Sequence, residues 1–482
     1  MRKDALGPSL RLRPAPAKCR SILGWSARER RQGRLPGGVA SVCGRLPWWE
    51  SDGWGGRCGG RGLRVDRGVG VRRGARGKWR RWLRVLTVTG LTDAEYVISS
   101  VALSIDEYYA GVGESPGVWS GKWAEKLGLV GMVEADQLRA LVEGRGPTTG
   151  EELLGGSRPR SVKAFDLTFS CPKSVSLLWA FGDDAVAGVV AEAHREAVEV
   201  ALGFLEDRAA AARAQSHGLR RRVGTEGWAV AGFVHRTSRE GDPQLHTHCV
   251  VPNLVQRKTD GRYVAFDAGP LFDWCRAAGS IYQAELQRCL SLRLGVDWGP
   301  DRNNTRELLG LSRDQLRAFS KRSVQIEAEL EAKGARYEPA ALRMQADDEA
   351  SLATRTAKDH KLTPALLEGR WREEAAAVGL ATGTGLENAL CWRGPALELP
   401  GWEEVAAALV DPETGLCSRS ARFTQADVVE HICAISGGRL SVDEAGPGCK
   451  APAGAGGATA VVRRSPPPES SSSLPRSAWS RG

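Results

Sequence analysis

The 482-residue sequence is poor in the signatures that would place it in several large functional classes. Its 11 cysteines are odd in number, scattered and without a C-x-x-C pair. That excludes a cysteine-spaced zinc finger, argues against a disulfide framework and favours a reducing compartment. No uncharged apolar run approaches the roughly 20 residues needed to span a bilayer, and Met1–Lys18 has no apolar signal-peptide segment. The expected location is therefore the cytoplasm. A G-x-x-x-x-G-K-[ST] phosphate loop is missing, which removes the usual ATP-driven motor. No repeat at solenoid periods occurs. Histidine is scarce, with seven in the chain. What remains is ordinary for a folded protein: 42% hydrophobic and 26% charged residues, in a length suited to two or three domains.

The net charge of +10 is unevenly distributed. Residues 1–84 hold 22 Lys and Arg against 5 Asp and Glu, with 16 Gly and 6 Trp, while residues 85–482 hold 45 basic and 52 acidic. Neither a helical nor a strand period persists in the first segment. It reads as a low-complexity extension for which three origins compete: an RGG-like nucleic-acid-binding tail, a transit peptide, or G+C-rich DNA translated ahead of the true start. We take the last as the expectation. The next methionine is Met132, so initiation would then fall at a residue such as Val85 or Val88.

Domain-like texture begins near Val85. The expected organisation is a catalytic domain over 85–380, a linker and the start of a following domain over 381–445, and a disordered Ala/Gly/Pro/Ser tail over 446–482. Phe165–Ser170 reads as a strand, with Val175–Phe181 continuing its apolar run. Asp184 reads as the cap of a long helix with Val186, Val190, Ala193, Ala197, Val200 and Phe204 on one face. Trp228–Thr237 and Gln244–Val255 read as strands around a turn-rich loop at 238–243. Pro270–Leu294, Ser312–Lys333 and Pro364–Val378 read as helices, followed by shorter ones at Glu403–Val410 and Thr424–Ile435, the last with a capping box of Thr424 and Asp427.

Three of the seven histidines, His235, His246 and His248, fall within 14 residues. His246 and His248 are at i and i+2, on one face of a strand. Pairing Thr237 with Gln244 would set His235 opposite His246. Three imidazoles on one hairpin face can hold a divalent ion while leaving coordination positions open, as a catalytic site needs. Imidazole alone does not select among Mg, Mn, Zn or similar ions. Cys249 points to the opposite face and is excluded. His194, His217, His360 and His431 read as structural; the same bland reading for the triad is the alternative.

The segment Gly232-Phe-Val-His-Arg-Thr-Ser-Arg-Glu-Gly-Asp-Pro-Gln-Leu-His-Thr-His-Cys-Val-Val-Pro-Asn253 resembles the metal-binding motif of TrwC/TraI-type (MobF) conjugative relaxases, within the HUH endonuclease superfamily. Asp166-Leu-Thr-Phe-Ser-Cys-Pro-Lys-Ser-Val-Ser176 resembles a second signature of that family. Glu107-Tyr-Tyr-Ala-Gly and Trp119-Ser-Gly-Lys-Trp-Ala-Glu-Lys-Leu-Gly-Leu129 resemble its N-terminal tyrosine region. The resemblance implies an α+β fold: a central antiparallel sheet with packed helices and a helical lobe. It implies a tyrosine that attacks one phosphodiester of plasmid transfer-origin DNA, giving a 5′-phosphotyrosyl intermediate. Tyr108 or Tyr109 is the expected nucleophile and Tyr96 the reserve, with Asp166 orienting a ligand histidine or assisting deprotonation. A tyrosine pKa near 10 makes such help necessary.

The implied partners are single-stranded and hairpin origin DNA and relaxosome accessory proteins. Lys173, Arg236 and Arg239 are candidate DNA contacts, as are Arg257 and Lys258, each equally readable as plain surface charge. Such relaxases are often fused to a helicase, so the missing phosphate loop points to a relaxase domain with only the start of the next one. Three alternatives stay open: a rolling-circle replication initiator, a catalytically inactive single-stranded-DNA-binding remnant, and a metal-dependent phosphodiesterase that uses water.

Overall fold

The computed structural model describes residues 85–93, 116–155, 160–216, 218–301, 305–334, 349–350, 353, 364–390, 402–419, 422–437 and 460–461. The chain divides into two units, Met1–Gly62 and Leu63–Gly482, and every described element belongs to the second.

In chain order the elements are β1 (Leu86–Leu91), β2 (Val118–Ser120), α1 (Lys122–Lys126), α2 (Ala135–Glu143), β3 (Ala164–Ser170), α3 (Lys173–Phe181), α4 (Asp184–Ala209), β4 (Ala211–Ser216), β5 (Leu219–Gly224), β6 (Val230–Thr237) and β7 (Pro243–Pro252). They continue with α5 (Ala268–Leu294), α6 (Arg313–Ala318), α7 (Lys321–Ala332), α8 (Pro364–Ala377), α9 (Thr384–Leu390), α10 (Trp402–Val410) and α11 (Gln425–Ser436). Five strands form one antiparallel sheet in the order β1-β3-β7-β6-β2, and β4 and β5 form a separate hairpin. This is the expected α+β architecture, with a central antiparallel sheet, helices on it and a helical lobe.

Strand alternation sorts the sheet into two unlike faces. On β3, Phe165, Leu167 and Phe169 enter the main core with Cys249 and Val251 of β7, covered by Val190, Ala193 and Ala197 of α4 and Ile281 and Tyr282 of α5. The alternate residues Asp166, Thr168 and Ser170 lie on the other face. At one end of that second face a smaller core forms from Ala164, Ala231, Phe233 and Val250, under Trp119, Trp123 and Leu138. Polar residues are therefore left together at the other end.

Local chemistry explains several element boundaries. The long helix α4 is capped one residue earlier than expected: Asp183 accepts from the Val186 N–H at 2.8 Å, and Asp184 is the first helical residue. Asp267 caps α5 in the same manner. The apolar run Val175–Phe181 is not a continuation of the strand. Pro172 ends β3 and stands at the N-terminus of α3, where a missing N–H costs nothing. The single helix expected over Ser312–Lys333 is two, α6 and α7, because Phe319 turns fully into the core against Phe181, with ring centroids 5.3 Å apart. Thr424 and Asp427 do form the capping box that starts α11.

The Trp119-Ser-Gly-Lys-Trp123 stretch acts as a corner. Gly121 adopts φ 93°, and a Cβ there would stand 2.4 Å from the Trp228 carbonyl oxygen, so only glycine fits. The buried Glu206 carboxylate then joins two segments, accepting from the Lys122 N–H at 3.0 Å and the Trp228 N–H at 2.7 Å. Among the described residues no helix is long and apolar enough to cross a membrane.

Candidate metal centre

The centre is built on the two middle strands of the sheet. His235 of β6 pairs directly with His246 of β7, while His248 is flanked by Phe233 on one side and Thr168 of β3 on the other. The expected His235–His246 pairing is present, but Thr237 pairs with Pro243 rather than Gln244. A β-bulge accounts for the difference: between the two pairs β6 advances two residues and β7 three. The bulge falls next to the ligands, where bulges commonly re-aim side chains.

The three imidazoles converge as the sequence predicted. Ring centroids are 5.3 Å apart for His235 and His246, 4.8 Å for His235 and His248, and 5.1 Å for His246 and His248. One ring nitrogen from each lies within 4.8 Å of the others. His235 is buried, whereas His246 and His248 are half-buried, so the cluster is closed beneath and accessible above.

Two hydrogen bonds fix which nitrogens are free to ligate. Asp166 Oδ2 and Oδ1 lie 2.8 and 3.0 Å from His248 Nδ1, and the Gln244 carbonyl oxygen lies 2.9 Å from His246 Nδ1. A proton on each Nδ1 satisfies these acceptors and leaves Nε2 with its lone pair. This is how outer carboxylates and carbonyls orient metal-bound histidine. The Thr168 hydroxyl donates to Asp166 Oδ1 at 3.2 Å and lies 3.1 Å from His248 Nδ1. This donor set fits a divalent ion: three imidazoles, two with Nδ1 turned to an acceptor, on a rigid hairpin with an open side. Asp166 is buried, on the same face as the histidines, and touches His248. Cys249 sits in the main core on the opposite face, where burial raises its thiol pKa.

The other candidates are dispersed. Arg239 is exposed in the β6–β7 loop. Arg236 is exposed too, but its guanidinium carbon lies 5.8 Å from the Trp179 ring centre of α3, toward the helical side of the sheet. Lys173 Nζ donates to the Pro243 carbonyl oxygen at 2.7 Å. Burial pushes that ammonium down to about 8, against the opposing pull of Asp242 and Glu307. Tyr96, Tyr108, Tyr109, His217 and His360 lie outside the described residues.

Sequence reasoning missed three contributors. Thr168 supports Asp166, the Gln244 carbonyl supports His246, and Ser170 faces His246 across the strands. The signal for the side chains was present: Asp166, Thr168 and Ser170 are polar at i, i+2 and i+4 of an otherwise apolar strand, hence on one face. It also missed the fastening of the loop before β7. Asp242, almost wholly buried, accepts from the Lys321 backbone N–H at 2.8 Å and from Lys321 Nζ at 2.6 Å, while Trp371 Nε1 donates to the Gly241 carbonyl at 2.7 Å. The helical lobe therefore grips the hairpin that carries the ligands.

Comparison with known proteins agrees with this architecture. The family model described as TrwC relaxase matches residues 92–378. The chain is 32% identical over 347 residues to a multifunctional conjugation protein TraI of Escherichia coli, and 30% identical to the corresponding protein of strain K12. In both cases the match covers 68% of this chain and 19% of the relative, so the chain spans about a fifth of the length of these curated relatives. A metal-bound structure of the conjugative relaxase TrwC in complex with oriT DNA superposes with a TM-score of 0.55 at 31% identity, covering 61% of this chain and 99% of that one. TrwC complexed with a 27-mer DNA comprising the recognition hairpin and the cleavage site gives a TM-score of 0.53 at 30% identity, covering the same shares of the two chains. On the extent of the family match and the identity to these relatives, this chain belongs to the TrwC relaxase family.

Proposed function

We propose that this protein is a DNA relaxase that nicks plasmid transfer-origin DNA at one site on one strand, through a tyrosine nucleophile and a 5′-phosphotyrosyl intermediate. The observation that carries the reading is the convergence of His235, His246 and His248 on one sheet face, with Asp166 on His248 Nδ1. His235, His246 and His248 would hold a divalent ion, whose identity as Mg, Mn or Zn is not set by imidazole ligands. What such an ion supplies when bound is Lewis acidity toward phosphate oxygens.

The protein's own groups do the rest. Asp166 holds the His248 ring in one orientation and tautomer, and the Gln244 carbonyl does so for His246, so no reorganisation is needed when substrate arrives. Tyr108 or Tyr109 attacks phosphorus, with Tyr96 in reserve. The phenol gives up its proton as its oxygen forms the new P–O bond. The 3′ oxygen leaves with the electron pair of the broken bond and takes up a proton to become a free 3′-hydroxyl, and the phosphoester energy is retained for rejoining. The substrate is single-stranded DNA beside a hairpin, and relaxosome accessory proteins are the expected partners, in the cytoplasm.

Arg239 and Lys258 are the proposed phosphate contacts. Arg257, Arg236 and Lys173 are weaker candidates, since the Arg257 guanidinium is paired with Asp260, Arg236 leans toward Trp179 and the Lys173 ammonium is committed to the Pro243 carbonyl. We assign the catalytic domain to 85–380, a linker and the start of a following domain to 381–445, and non-catalytic extensions to 1–84 and 446–482.

The test incubates the full chain with a pool of hairpin-bearing single-stranded DNAs and Mg²⁺ or Mn²⁺, then separates the products under denaturing conditions. Cleaved strand that migrates with protein supports the proposal. Cleavage with both ends free would favour a water-using phosphodiesterase, and binding without cleavage an inactive remnant.

A further inference from the structure

Beneath the histidine face lies a buried polar chain that the proposed chemistry does not use. Thr247 stands between His246 and His248 on β7 and points the other way, into the main core. Its hydroxyl lies 2.7 Å from His194 Nε2 of α4. His194 Nδ1 lies 2.8 Å from the Tyr282 hydroxyl of α5, which lies 3.2 Å from Cys171 Sγ at the end of β3. All four residues are buried, with 6%, 1%, 0% and 4% of their surface exposed in the order named. Leu245 and Cys249, the neighbours of Thr247 on that face, are apolar-core residues.

We infer that His194, acting through the Thr247 hydroxyl, is a positioning residue of the metal centre; the inference rests on the metal reading proposed above. Polar groups in a close-packed core cost free energy unless each is satisfied, and a satisfied network fixes one arrangement of the elements that carry it. Here the network joins α4, α5 and the end of β3 to β7 at the residue between two ligands. The separation of the His246 and His248 Nε2 atoms depends on the height and twist of β7 at Thr247. An unpinned strand would keep its ladder but let those two imidazoles spread. Burial holds His194 neutral, pushing its pKa down to about 3, so its two nitrogens are one donor and one acceptor. That matches hydroxyl partners on both sides, each able to give or take a proton.

The experiment measures Mn²⁺ affinity of the full chain by calorimetry and the visible spectrum of the Co²⁺-loaded protein. It compares the parent with Thr247→Val, which keeps the shape and removes the hydroxyl, and Thr247→Ser, which restores it. Loss of an orienting partner typically weakens metal binding 10- to 100-fold, and acting one residue further out we expect about 10-fold for Thr247→Val. The Co²⁺ bands should shift in Thr247→Val, and Thr247→Ser should stay within about twofold of the parent. Binding by Thr247→Val within twofold of the parent, or equal weakening in Thr247→Ser, overturns the inference. Tyr282→Phe keeps the ring and removes the hydroxyl that orients His194, so it carries the same prediction if Thr247→Val does not fold. A parent that binds none of Mg²⁺, Mn²⁺, Co²⁺ and Zn²⁺ overturns the metal centre and this inference together, whereas a binding parent with unaffected variants overturns only the inference.

Discussion

At the scale of single residues, the centre depends on groups that hold other groups. Asp166→Asn preserves size but replaces a two-oxygen acceptor with an amide, so His248 loses its fixed tautomer. We expect Mn²⁺ affinity, read by calorimetry, to fall about 10- to 100-fold with the far-UV spectrum unchanged. His194 gives a separate, pH-dependent signature. Its folded-state pKa, about 3, lies below the unfolded value near 6.5, so between these values the unfolded chain binds more protons and stability rises with pH. The contribution is about 1.4 kcal/mol per pH unit within that window, lost as the solution is acidified below pH 6.5. Denaturant unfolding at pH 5.0 and 6.5 checks this: His194→Gln should lower stability at pH 6.5 yet flatten the acid-side slope. An identical slope in both proteins would contradict it. His194 was legible only as a structural histidine, because its partners Thr247 and Tyr282 are 53 and 88 residues away and no local pattern links them.

At the scale of elements, the hairpin β6–β7 is held from outside as well as by its ladder. Lys321 of α7 bridges Asp242 and Glu374, and Trp371 of α8 holds the Gly241 carbonyl. Lys321→Met leaves the buried Asp242, among the described residues, with the backbone N–H of that residue as its hydrogen-bond partner and the Lys173 ammonium as its nearby cation. Breaking a fully buried pair costs about 3–5 kcal/mol; here about 2–3 kcal/mol is expected, since Lys321 is part-exposed and that backbone bond remains. Thermal unfolding with and without 0.5 M NaCl measures it, and a loss near zero would place the clamp among ordinary surface pairs. The strands β3, β6 and β7 and the helix α5 were legible because alternation and helical spacing are local. The bulge between β6 and β7 was not; nor were the break at Phe319 and the fastening of the 238–243 loop, because each of these two follows from a contact with a distant element: Phe319 with Phe181, Asp242 with Lys321.

At the scale of the whole molecule, the overall charge misdirects. The excess of +17 carried by residues 1–84 accounts for more than the chain's +10, and residues 85–444 hold 40 basic against 51 acidic residues. The proposed catalysis on DNA must then rest on a local site, and the histidine face is the candidate for it. Deleting residues 1–84 should reduce non-specific, salt-sensitive retention of random duplex DNA while leaving hairpin cleavage within about twofold, because neutralised phosphates set the salt dependence. Filter binding across 50–200 mM NaCl, paired with the cleavage assay, reads both quantities. The triad, Asp166 and the α+β sheet were legible because they are carried by short motifs in a fixed order, whereas the tyrosine nucleophile rests on the motif alone. The central claim is a covalent protein–DNA intermediate made at a histidine-held metal site. The most direct measurement is mass spectrometry of the proteolysed adduct from a cleavage reaction. A nucleotide-bearing peptide carrying the 5′-phosphate on Tyr108 or Tyr109, absent with His246→Ala, is the predicted result. Free 5′-phosphate ends with no modified peptide, or an adduct that persists undiminished in His246→Ala, would contradict it.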